Sequence, residues 1–186
     1  MSGGFIVVLA ILAFAAVTIF KGVRIVPQGY KWIVQRLGKY HTTLNPGLNF
    51  VIPYVDEVAY KVTTKDIVLD IPSQEVITRD NAVLLMNAVA YINITTPVNA
   101  VYGIENYTWA IQNLVQTSLR SIVGEMDLDD ALSSRDHIKA KLKAAISDDI
   151  SDWGITLKTV EIQDIQPSST MQAAMEAQAA AERQRR

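Results

Sequence analysis

The first twenty positions carry no charged side chain, and Phe5, Ile6, Val7, Val8, Leu9, Ile11, Leu12, Phe14, Val17, Ile19 and Phe20 dominate them. No polar face interrupts this run, unlike the one-sided stripe of a helix lying on a soluble core. As a helix rising ~1.5 Å per residue, Gly4 to Phe20 covers roughly 25 Å, and Ser2 and Gly3 bring it close to the hydrocarbon thickness. At roughly −0.3 to −0.6 kcal/mol for each strongly apolar side chain, insertion into a bilayer is favourable. The pattern predicts a transmembrane anchor over 1–22. A cleaved signal peptide is the competing reading: Ala13, Ala15 and Ala16 favour it, while the missing basic n-region and the length of the apolar run oppose it.

After the anchor the period drops to two. Tyr30, Trp32 and Val34 alternate with Lys31, Ile33 and Gln35, and Gly38 marks a reversal. Ile67, Leu69 and Ile71 share one face of a later strand, with Asp66, Val68 and Asp70 on the other. A polar turn at Arg79, Asp80 and Asn81 leads into "AVLLMNAVAYINI", apolar on both faces and therefore predicted to lie centrally in its sheet.

From Thr96 the period becomes helical. Thr96 and Pro97 read as an N-cap with proline at the first helical position, opening a short helix that Gly103 ends. Asn106 caps a second helix with Tyr107, Ile111, Leu114, Val115, Leu119, Ile122 and Val123 at helical spacing before Gly124. A third begins near Ser134, carries Ile138, Leu142, Ala145, Ile146 and Ile150 on one stripe, and stops at Gly154. "ITLKTVEIQDI" then returns as a strand. Strands, helices and a closing strand predict an α+β fold with helices on one sheet face. Past Pro167, one of Ser168, Ser169 and Thr170 caps an alanine-rich helix ending in "ERQRR". It reads as the start of a coiled coil, with a frayed terminal helix as the alternative.

The charge distribution sharpens this picture. Lys21, Arg24, Lys31, Arg36 and Lys39 all precede the first acidic residue, Asp56, which leaves 12 basic against 19 acidic side chains for the rest of the chain. Lys21 and Arg24 directly follow the anchor, so the positive-inside bias puts the body in the cytoplasm of a single-pass membrane protein. The basic concentration beside an anchor is accounted for by lipid, and no nucleic-acid partner is expected.

Candidate chemistry is sparse. The chain has no cysteine, and its two histidines, His41 and His137, belong to no metal-binding pair. Glu125, Asp127, Asp129 and Asp130 lack the central glycine and distal glutamate of a calcium loop; Asp127 reads instead as the N-cap of a short helix. No nucleophile elbow, phosphate loop or dinucleotide fingerprint occurs. The sequons at Asn93 and Asn106 are matches of a kind that arise by chance. No catalytic, cofactor or metal site is expected.

Six ordered segments carry a resemblance: "IVPQGY" (25–30), "GKYHTTLNPGLNFVIPYVD" (38–56), "LDIPSQEVITRDNAVL" (69–84), "RSIVGEMDLDDALSSRD" (120–136), "WGITLKTVEIQDI" (153–165) and "AERQRR" (181–186). Together they resemble the stomatin/prohibitin/flotillin/HflK-C superfamily, the SPFH or band 7 proteins, and most of all its prokaryotic stomatin-like and QmcA-like members. The resemblance implies a membrane-proximal β-rich subdomain (23–66, SPFH1-like), an α+β subdomain (67–166, SPFH2- or PHB-like) and the start of an Ala-rich coiled-coil helix (167–186). It also implies a non-catalytic scaffold that forms a large homo-oligomer, organises a membrane microdomain, and associates with NfeD-type membrane proteins or membrane proteases in protein quality control. The alternatives are a membrane-bound hydrolase or protease subunit and a protease adaptor that forms no ring.

"NPGLNFVIPYVD" (45–56) is apolar enough for lipid, yet Pro46 and Pro53 would leave backbone groups unpaired in a spanning helix. It is expected to lie at the membrane boundary. Lys21, Arg24, Lys31, Arg36 and Lys39 would meet head groups at ~1 kcal/mol each, and Tyr30, Trp32, Tyr40, Phe50 and Tyr54 are interface-seeking types. The competing reading has Phe50, Ile52 and Val55 filling a small hairpin core. For contacts between copies, Trp109, Arg120, Arg135 and the strand positions Ile155, Leu157, Val160, Ile162 and Ile165 are the candidates.

Overall fold

The computed structural model describes residues 3–184. Positions 1–2 of the predicted anchor and 185–186 of the predicted terminal helix lie outside them. The first apolar run is one helix, α1 (Gly3–Gly22), and of all its residues only Gly22 is buried. Short strands follow: β1 (Val23–Val26), β2 (Tyr30–Arg36), β3 (Lys39–Leu44), β4 (Gly47–Phe50) and β5 (Asp56–Thr63). β1 pairs with β4 as a two-stranded ribbon, while β2 lies between β3 and β5, all antiparallel.

The period-two alternation of β2 has a structural consequence, because both of its faces are covered. Ile33 enters the large core of the molecule, whereas its neighbour Val34 enters a second, smaller core with Val26, Leu44 and Val51. Tyr30, Trp32 and Val58 pack on that smaller core. Val51 is the one part of the 45–56 stretch that fills a hairpin core, with 4% of its surface exposed.

The second sheet orders β6 (Ile67–Ile77), β7 (Val83–Ile94) and β8 (Ile155–Pro167), with β7 central and both pairings antiparallel. Leu84, Met86, Ala88, Ala90 and Ile92 of β7 face the core, and Val89 on the opposite face is buried as well. That accounts for its two-sided apolar sequence. Between β7 and β8 run α2 (Pro97–Tyr102), α3 (Tyr107–Gly124), α4 (Leu128–Ser133) and α5 (Arg135–Ser151). Ile111, Val115, Leu119, Ile122 and Val123 of α3 meet Ile138, Leu142, Ile146 and Ile150 of α5 in the large core. Ala145, expected on that stripe, is exposed. The i, i+4 spacing of the four large residues leaves it off the buried line.

Two caps differ from expectation. Asn106 does cap α3, accepting from the Trp109 amide at 3.0 Å. Asp127 occupies the N-cap position of α4 but gives its carboxylate to Arg79; Asp80, from the β6–β7 turn, accepts the Leu128 amide instead. The acidic cluster is thereby explained by a helix start and a turn held together. Thr96 likewise sits at the N-cap of α2 without a side-chain cap bond. Gly154 approaches Thr96 so closely, at a φ of +67°, that any Cβ would collide with its carbonyl. The last helix, α6 (Ser169–Gln184), starts where Ser168 Oγ accepts the Met171 amide at 3.4 Å; Met171 is half-buried, and the described side chains beyond it are exposed.

Candidate membrane interface

Residues 51–55 form a loop that hangs beside the last turns of α1. At its top the Val51 amide donates to the Gly22 carbonyl at 2.8 Å. At its bottom the Tyr54 ring stacks on Phe14, centroids 5.9 Å apart, and the Tyr54 hydroxyl lies 3.4 Å from Thr18 Oγ1. Phe14 precedes Gly22 by about 12 Å of helix, so the loop descends to that depth along α1. The sequence supports this by giving several of the loop's backbone groups partners within the chain. The Ile52 amide donates to Asp56 Oδ2 at 3.0 Å, the Val55 and Asp56 amides donate to the Ile52 carbonyl, and Pro53 has no N–H. At membrane depth irregular backbone is tolerated only where protein encloses it, and this loop is flanked by Phe14 and Thr18 of α1 and tied to Leu37 through the Val55 carbonyl.

Apolar side chains gather around the loop and point outward. On the β1–β4 ribbon, Val23 opposes Phe50 and Ile25 opposes Leu48, which puts Ile25, Leu48 and Phe50 on one exposed face. Ile52 is exposed as well. Leu37, at the tip of the β2–β3 hairpin, is 82% exposed and donates its amide to the Val55 carbonyl. Its φ is +51° and that of Gly38 is +82°, a two-residue turn in which asparagine or glycine is favoured. An exposed leucine held in the left-handed region is a local cost of about 1 kcal/mol, and such outliers concentrate where something else is gained.

The expected interface residues divide into two groups. The apolar residues expected to span the membrane are all exposed along α1, Phe20 to 81%, and of the interface residues Lys21, Arg24, Lys39, Phe50 and Tyr54 are exposed beside it. Tyr30, Lys31, Trp32 and Arg36 are half-buried. Lys61 sits 4.6 Å over the Trp32 ring and Lys65 5.3 Å over Tyr30, on the face that covers the small core. Trp32 and Tyr30 are thus occupied within the fold, because a period of two sends them inward with Val34. Tyr40 meets Tyr102 of α2 edge to face, and Tyr60 meets the same ring. Gln35 donates to the Tyr102 hydroxyl at 2.7 Å, joining the β3–β2–β5 sheet to α2.

Arg36 grips Asp56 through Nε at 2.6 Å and Nη2 at 3.0 Å. The guanidinium, together with the Ile52 amide, overcomes burial and holds the Asp56 carboxyl at about 2, below its ordinary 3.8. The Arg36 charge is therefore committed to closing the 51–56 loop rather than free for head groups.

Sequence reasoning did not single out Ile25, Leu37 and Leu48, which are exposed apolar side chains around the loop. The signal for Leu37 lay in "RLGK", an apolar residue at a hairpin turn where polar ones predominate.

The residues expected between copies also divide. Trp109 is 64% exposed at the start of α3, Arg135 is exposed, and Arg120 is exposed with only a 3.3 Å bond to Gln74. Ile155, Leu157, Val160 and Ile165 are buried in the chain's own core, and Ile162 is half-buried. Their side chains pack under α3 and α5, so what β8 offers a neighbour is its outward positions and its edge away from β7.

Residues 24–186 match the SPFH domain / Band 7 family. Over 182 residues the chain is 40% identical to a stomatin homolog of Pyrococcus abyssi, covering 98% of this chain and 68% of that protein. It is 37% identical over 164 residues to a stomatin-like protein of Caenorhabditis elegans, covering 88% of this chain and 51% of the other. A protein of Mycobacterium tuberculosis is 36% identical over 183 residues, 98% of this chain and 48% of its own length. The chain thus spans about half the length of several relatives it matches. Since the family match runs from β1 through α6, the strands and helices described above are an SPFH fold, and the chain belongs to the SPFH domain / band 7 family.

Proposed function

We propose that this chain is a non-catalytic, single-pass membrane scaffold whose copies assemble side by side into rings or cages and organise the bilayer beneath them. The observation that supports this reading most is the seam between α1 and residues 51–55, because it fixes an apolar helix and an apolar loop as one unit. In this reading α1 spans the membrane, and Lys21 and Arg24 hold the body on the cytoplasmic side. Leu37, Phe50, Ile52 and Tyr54 rest in the upper acyl region, while Lys39 meets head groups.

Assembly multiplies these contacts, since each tethered copy raises the effective concentration of the next. Exposed Trp109, Arg120 and Arg135 and the outer edge of β8 are the contacts between copies. The exposed, Ala-rich α6 continues into a coiled coil above the ring. With a stomatin homolog and a stomatin-like protein among its relatives, the chain is read here as a scaffold of the stomatin type. Such a scaffold would modulate membrane proteases or hold an NfeD-type partner in membrane protein quality control.

Light scattering of the detergent-solubilised protein tests assembly: a particle of many subunits is expected, and a strictly monomeric one overturns it. Flotation with vesicles tests the membrane reading, which fails if the intact chain stays in the aqueous fraction.

A further inference from the structure

A cleft of about 750 Å³ lies between the β1–β4 ribbon and the face of β5 that carries Val58 and Lys61, beside Phe20 at the end of the apolar run. Val23, Ile25 and Val58 make much of its wall apolar. Arg24, Lys61 and Glu57 also line it, and among the described residues none of the three is in an ion pair. Asp56, a fourth charged neighbour, is already occupied by Arg36 and the Ile52 amide. The charges without an ionic partner are therefore two cations, of which Lys61 rests over the Trp32 ring with its N–H groups unpaired by any carboxylate among the described residues, and one anion around an apolar slot.

We propose that this cleft binds one zwitterionic phospholipid with a primary amine in its head group. Arg24 and Lys61 receive the phosphate, Glu57 receives the ammonium, and an acyl chain follows Val23 and Val58 down toward Phe20. The inference rests on the membrane seating proposed above, since only that seating brings the slot to the level where acyl chains end and phosphates begin.

The choice of head group follows from the same residues. A purely anionic lipid would leave Glu57 facing phosphate without a partner. A quaternary ammonium favours an aromatic face. The Trp32 ring face is already covered by Lys61, so that seat is taken. A primary ammonium can instead give charge-assisted hydrogen bonds to the Glu57 carboxylate, and the phosphate can take them from Arg24 and Lys61.

The test is native mass spectrometry of the intact chain after exchange against equimolar phosphatidylethanolamine, phosphatidylcholine and phosphatidylglycerol in mild detergent. The wild type is expected to retain one phosphatidylethanolamine at least about tenfold over the other two, the ratio that one additional charge-assisted hydrogen bond supports. Arg24→Gln with Lys61→Gln is expected to lose all three lipids, and Glu57→Gln to lose only the preference. Val58→Trp, which fills the slot without touching a charge, is expected to empty it. Equal retention of the three lipids by the wild type, or undiminished retention by the double or the Val58 variant, overturns the proposal. Soluble phosphoethanolamine is expected not to displace the lipid; displacement would make the site one for a free phosphate ester and overturn it as well. Vesicle flotation of the same samples separates the two readings: a chain that floats but shows no selectivity sinks this inference alone, whereas a wild type that does not float sinks the membrane seating.

Discussion

The Tyr54 ring lies parallel to the Phe14 ring, within 4° and with centroids 5.9 Å apart, although forty residues of chain separate them. Such a stack contributes about 0.5–1.5 kcal/mol beyond the area it buries. It also sets a depth. With Trp32, Trp109 and Trp153 changed to Phe, a Tyr54→Trp chain in vesicles is expected to be quenched strongly by lipids brominated high on the acyl chain. A Tyr102→Trp chain, with its ring beside α2, is expected to be quenched weakly. Equal quenching of the two would put the loop in water.

Leu37 should separate folding from membrane contact. Its left-handed backbone suits asparagine better than leucine, so Leu37→Asn is expected to raise stability by about 0.5–1 kcal/mol. The same change removes a side chain whose burial in lipid is worth about 1.5–3 kcal/mol, and binding should weaken by about tenfold or more. A body beginning at Gly22 carries the comparison, since it gives up the Phe14 stack on Tyr54 equally in the wild type and the variant. Urea midpoints and vesicle co-sedimentation are expected to move in opposite directions. A joint rise, or a joint fall, would mean that the hairpin tip does not touch the membrane.

The division between what the sequence revealed and what it concealed follows from the physics of each element. α1, the central β7 and the stripes of α3 and α5 were legible because burial on a fixed period leaves a pattern in one stretch of chain. For Trp32 and Arg36, residue type indicates an affinity for the interface but not that Lys61 lies over the one and Asp56 pairs with the other inside the fold. Asp127 shows the same limit: its position at a helix start was readable, whereas the competition between Arg79 and the Leu128 amide depends on a turn 48 residues earlier. Ile25 and Leu48 became a surface only through the β1–β4 register, which no local pattern encodes.

Gly22 joins anchor to body at a point where no side chain fits. A Cβ there would lie 2.6 Å from the Val51 carbonyl oxygen and 2.9 Å from Phe50 Cζ, and the carbonyl belongs to a backbone that cannot swing aside. Gly22→Ala is therefore expected to push the loop from α1, lengthening the Val51 to Gly22 hydrogen bond and unstacking Tyr54. Hydrogen exchange should quicken across residues 50–56 while β7, in the large core, keeps its protection. Unchanged exchange in the loop would show that the seam tolerates the extra carbon.

Arg36 and Asp56 supply the pH dependence of the same loop. A carboxylate whose folded pKa is depressed contributes its full stability above its unfolded value and loses that contribution as pH falls through the folded one. For Asp56 the loss runs from the ordinary 3.8 down to about 2. Its carboxylate is almost entirely buried and takes two bonds from Arg36 and one from Ile52. Asp56→Asn keeps the shape but leaves Arg36 without its counter-charge, at an expected cost of about 1–3 kcal/mol near neutral pH. Denaturation midpoints of the two proteins should be well separated at about pH 6 and converge as pH drops from about 4 toward 2. A gap that persists unchanged at the acid end would mean that packing around Val51, rather than this ion pair, closes the loop against α1.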